Sequence, residues 1–86
     1  MKVIIFGAGA MGMKYCKEYG SDTEILAFAD NDPDKWGKTL LGHPIIDPKS
    51  IPEAHFDKIV LAISDLNAMT SISAQLNGMN IPRSKF

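Results

Sequence analysis

The chain has 86 residues, 45% hydrophobic and 22% charged, the profile of one small globular domain with no room for a second core. Nine Lys and Arg against 10 Asp and Glu leave a net charge of −1, which supplies no basic field and argues against nucleic acid or an anionic membrane as a partner. No apolar run reaches the ~20 residues that cross a bilayer, and glycines interrupt the opening run where a secretory signal would carry its apolar centre, so a cytoplasmic location is expected.

Lys2–Phe6 is a continuous apolar run ending in Gly7, the pattern of a strand buried on both faces. From Met11 to Tyr19, Met11, Tyr15 and Tyr19 recur at i+4 beside a Gly12–Cys16 stripe, which predicts a helix stopped by Gly20. Thr23–Ala29 is a second apolar strand, closed by the cluster Asp30-Asn31-Asp32-Pro33. Over 31–56 the residues Pro33, Pro44, Pro48 and Pro52 with Gly37 and Gly42 leave room only for short helical turns and a brief strand near Pro44–Ile46. Lys58–Ile63 reads as a third buried strand, and Leu66, Met69, Ile72, Leu76 and Met79 place a closing helix over Leu66–Gly78. Strands alternating with helices predict an α/β fold, a minimal or truncated Rossmann-like parallel sheet with flanking helices. The chain ends where such a sheet would begin its next strand, so residues 1–86 form either an unusually small single domain or the amino-terminal fragment of a longer protein.

Gly7-Ala8-Gly9-Ala10-Met11-Gly12 is a G-x-G-x-x-G that leaves the first strand and opens the first helix. In that position Gly7 allows the tight turn, Gly9 clears the approach of a pyrophosphate and Gly12 lets the helix pack on the sheet. Free N–H groups and the positive end of the helix dipole favour a phosphate there. Asp30 ends the second strand roughly 20 residues on, where the dinucleotide fingerprint places an acid for the ribose hydroxyls. That acid, followed by Asn31 and Asp32 rather than arginine, favours NAD over NADP. The bland alternative is that the glycines only shape a turn and Asp30 only caps the short helix at Pro33. Ser64 follows a strand expected beside the first one, at the switch point where such sheets bind ligands. It is a candidate hydrogen-bond donor, with capping of the last helix by Ser64 or Asp65 an equal alternative.

Other residues point to no chemistry. His43 and His55 lack a metal-spaced partner, and Asp30, Asp32 and Asp34 lack calcium-loop spacing. Trp36 has the chemistry to cover a base edge, but pinning a thin crossover to the sheet is the favoured role. Cys16 reads as a small buried hydrophobe. As the single cysteine, it excludes an internal disulfide and fits a reducing compartment.

The run Ile5-Phe6-Gly7-Ala8-Gly9-Ala10-Met11-Gly12, with Asp30-Asn31-Asp32-Pro33-Asp34-Lys35-Trp36-Gly37, Gly42-His43-Pro44-Ile45 and Asp47-Pro48, resembles small Rossmann modules attached to enzymes of surface-polysaccharide biosynthesis. These include nucleoside-diphosphate-sugar epimerase and dehydratase relatives, sugar acyltransferases and certain methyltransferases. The resemblance implies a module that binds NAD or a nucleotide sugar. The acyltransferase branch often carries a His in or after the glycine loop, where this chain reads Ala10-Met11-Gly12-Met13. The loop and Asp30 also resemble the amino-terminal half of sugar oxidoreductases related to glucose–fructose oxidoreductase, whose catalytic Lys lies in a Glu-Lys-Pro segment absent here. The chain is therefore expected to bind a nucleotide or nucleotide sugar through Gly7–Gly12, Asp30, Asn31 and Ser64. Catalysis is expected from a further domain, or the chain acts within a homo-oligomer. An interaction domain with an unused pocket is the competing reading.

Overall fold

The computed structural model describes residues 1–86. Five strands form one sheet: β1 (Lys2–Phe6), β2 (Glu24–Ala29), β3 (Thr39–Leu40), β4 (His43–Ile46) and β5 (Lys58–Leu61), in the order β3-β4-β2-β1-β5. Two helices, α1 (Ala10–Glu18) and α2 (Leu66–Gly78), flank it. β1 pairs in parallel with both β2 and β5, and β2 with β4. The fold is the expected Rossmann-like α/β architecture.

β1 explains why its sequence has no polar alternation. Val3 and Ile5 join Phe28, Ile45 and Ala62 beneath α1, while Ile4 and Phe6 join Ala29, Ile51, Ile59 and Leu76 on the α2 side. A strand covered on both faces has no solvent face to populate with polar residues. Met11, Tyr15, Cys16 and Tyr19 pack against the first cluster, and Ile72 and Met79 against the second.

β5 stops at Leu61, short of the expected Ile63. Ala62 N–H still donates to Phe6 O at 2.8 Å, but Gly7 then turns β1 away and leaves nothing to pair with. The segment 31–56 holds two 3₁₀ turns, Pro33–Lys35 and Pro48–Glu53, capped by Asp32 and Asp47 through Asp34 N–H and Lys49 N–H. It also holds one feature absent from the sequence reading: β3 pairs antiparallel with β4, joined by Leu41 (φ 51) and Gly42 (φ 81). Positive φ at both turn residues is the geometry of a tight primed hairpin turn.

Candidate functional site

The loop from β1 to α1 is shaped by contacts along its length. Gly7 has φ +118, and a Cβ there would lie 2.7 Å from Ala62 O. A Cβ on Gly12 would collide with Gly7 O and stand 3.3 Å from the Phe28 ring. These two glycines are demanded by the fold itself. Gly9 differs: its φ of −119 suits any residue, and a Cβ would meet nothing within 4 Å. It caps α1 without a side-chain hydrogen bond, and the N–H groups of Gly9, Ala10 and Met11 have no partner in the chain. The first turn of α1 carries no acidic residue, so nothing there repels an anion drawn by the helix dipole.

Asp30 sits at the end of β2 with its side chain 17% exposed. Its Oδ2 accepts from Ala8 N–H at 2.8 Å and its Oδ1 from Asp32 N–H at 2.9 Å. The carboxylate therefore ties the glycine loop to β2, and each oxygen keeps a lone-pair direction for another donor. Capping of the turn at Pro33 falls to Asp32 rather than Asp30. Lys35, to which the sequence assigned no role, reaches back so that its Nζ lies 3.7 Å from Asp30 Oδ2 and donates to Ala8 O at 3.4 Å. A cation three positions beyond Asp32 carries no spacing signal, because only the 3₁₀ turn brings it round to the loop. Its charge offsets part of Asp30's, which weakens the argument that the acid alone would repel a 2′-phosphate.

The remaining candidates are placed unevenly. Asn31 exchanges two hydrogen bonds with Gln75 of α2, at 3.0 and 2.9 Å, so its amide is engaged within the protein. Ser64 is exposed between β5 and α2, and the N-cap of α2 is Asp65, whose carboxylate accepts from Asn67 N–H at 3.2 Å. Ala8 is buried, Ala10 is exposed and Met11 packs against the cluster between α1 and the sheet. His43 lies against Phe28 with ring centroids 6.2 Å apart, and His55 is exposed. The Tyr19 phenol is pushed above its ordinary value by burial, with Glu18 and Tyr15 adding to it, at the end of α1 remote from the loop. No concavity of the surface is lined by Gly7–Gly12 or Asp30. The loop is an open shelf at the carboxyl ends of β1 and β2.

A family model described as C2185-like, N-terminal, matches residues 1–86. The chain belongs to this family. No curated protein matches it in sequence. Among solved structures it is similar to UDP-D-quinovosamine 4-dehydrogenase from Vibrio fischeri, with 26% identity and a TM-score of 0.67 over 88% of this chain and 70% of that one. It is also similar to RSP, a Rex-family repressor, with 20% identity and a TM-score of 0.72 over 93% of this chain and 41% of the repressor. RSP has been solved with beta-NADH, and with beta-NAD+ and operator DNA. Identities of 20–22% in the RSP comparisons bear on the fold alone. No helix of this C2185-like domain is long and apolar enough to cross a membrane.

Proposed function

We propose that residues 1–86 form a single nucleotide-binding domain in which the Gly7–Gly12 loop holds a diphosphate and Asp30 a ribose, with NAD(H) the favoured ligand. The observation that carries this reading is Gly9. Neither packing nor φ demands a glycine there, and the position carries no side chain beside unpartnered N–H groups, as close approach by a phosphate requires. Asp30 retains acceptor capacity on both oxygens for ribose hydroxyls, and Lys35 stands beside it as a cation for the diphosphate. Ser64 is free to donate from the β5 end, whereas Asn31 must first leave Gln75. Bound NAD(H) supplies hydride chemistry. The chain's own part is to hold the nucleotide, because the acid and the cation beside the loop, Asp30 and Lys35, are taken up by the ribose and the diphosphate, and a further domain or a second copy supplies the groups that react. The net charge of −1 keeps small anions rather than nucleic acid as the intended partner. The likeness to a UDP-sugar dehydrogenase supports a second reading, in which the ligand is a nucleotide sugar and the module serves polysaccharide biosynthesis.

A thermal-shift panel at ~1 mM NAD, NADH, NADP and UDP- and GDP-sugars tests both. A dissociation constant of about 10 µM adds roughly 2.7 kcal/mol, worth about 10–20 °C in a domain of this size. The expected result is a shift with NAD or NADH that Gly9→Val abolishes. A shift confined to UDP-sugars moves the assignment to the second reading. No shift with any nucleotide, or an undiminished one in Gly9→Val, overturns binding at this loop.

A further inference from the structure

Trp36 is the single tryptophan of the chain, and the residue stays 37% exposed. The indole is fixed nonetheless: Nε1 donates to Asp30 O at 2.7 Å, the shortest side-chain hydrogen bond near the glycine loop. The backbone secures it from both sides. Trp36 N–H donates to Pro33 O at 3.2 Å, and Gly37, at φ +79, turns the chain back so that its own N–H reaches Ile45 O at 3.0 Å. Neither an aromatic ring nor a cation stacks on the indole. The aromatic pair of the molecule is Phe28 with His43, and its cation–π contact is Lys85 over Phe56.

We propose that Trp36 is the platform on which the base of the bound nucleotide stacks. The inference rests on the preceding reading of the loop and Asp30, and adds the group that recognises the base. A ribose held by the Asp30 carboxylate carries its base one glycosidic bond away, beside a ring anchored to the carbonyl of the same residue. Lys35, adjacent to Trp36 in the chain, reaches Asp30 and the loop, so acid, cation and indole line one end of the sheet. An indole already held by a hydrogen bond gives up little further freedom on stacking, the condition under which an aromatic face contributes most to binding. A bicyclic indole matches a purine better than a pyrimidine, so purine nucleotides are the ligand class, the adenine of NAD among them. The pinning role and the stacking role use different parts of the ring, the N–H for one and the face for the other.

The experiment follows tryptophan fluorescence and thermal shift together during titration of the whole chain with NAD, ADP and inorganic pyrophosphate. With one tryptophan the emission has one source. NAD and ADP are expected to quench it over the concentration range in which they raise Tm, and pyrophosphate to raise Tm without quenching. Trp36→Ala should weaken ADP binding by about 5- to 150-fold, the range that stacking of one base spans. Trp36→Phe, which keeps a ring and loses the anchor, should fall between it and the wild type. NAD stabilisation with no quenching, and with Trp36→Ala binding like the wild type, overturns the platform and leaves the loop reading intact. No stabilisation by any of the three ligands overturns both.

Discussion

Gly7 and Gly12 meet backbone where a side chain would begin, at Ala62 O and Gly7 O respectively, and neither obstacle is the flexible end of a side chain. Gly7→Ala and Gly12→Ala are therefore expected to cost about 3 kcal/mol each, the upper end of overpacking, seen as a lowered midpoint of urea unfolding. Gly9→Val carries no such clash and loses only part of a weak N-cap, less than about 1 kcal/mol. The three variants thus separate fold from site: two should unfold early, and one should fold normally and fail to bind. A midpoint for Gly9→Val as low as that of Gly12→Ala would show that the fold does need this glycine. The placement of the glycine loop and Asp30 was legible because it depends on position along a strand, a turn and a helix start. Lys35 was not, because its reach to Asp30 depends on a turn of three residues. Asn31 was read as facing a ligand, and its bond to Gln75, a separation of 44 positions along the chain, was invisible.

The β3–β4 hairpin shows how an element escapes pattern reading. Thr39–Leu40 is too short for alternation to register, and its turn carries Leu41-Gly42 where asparagine and glycine would announce a primed turn. Leu41 holds φ 51 while the residue stays 44% exposed. A branched residue in that region costs about 1–2 kcal/mol, and little packing offsets it. Leu41→Asn should raise stability by about 1 kcal/mol, some 4–8 °C in Tm for a domain of this size. An unchanged or lowered Tm would mean that the leucine makes contacts worth as much as the strain. By contrast β1, β2, α1 and α2 were legible to within a few residues, since each buries a stripe or a run whose period is fixed by backbone geometry.

Across the molecule, β1 is the one strand bonded in parallel on both sides along its length and covered by both hydrophobic clusters, whereas β3 lies at the outer edge and is joined to β4 at two paired positions. Amide exchange should be slowest in Ile4 and Ile5 and fastest among the strands in β3, with the hairpin opening well below the global unfolding energy. Uniform protection across the five strands would show instead that the hairpin folds as one unit with the core. The same topology leaves one side of β5 without a neighbour and sets the glycine loop at the carboxyl ends of β1 and β2. Local information in the chain was enough for the α/β class, the order of strands and helices, and the loop and acid at its carboxyl end, because burial periodicity and turn chemistry act over a few residues. The antiparallel hairpin, the engagement of Asn31, the return of Lys35 to Asp30 and the anchoring of Trp36 depend on which distant backbone groups meet once the sheet has formed. No short-range pattern encodes those meetings; they follow from long-range pairing and close packing.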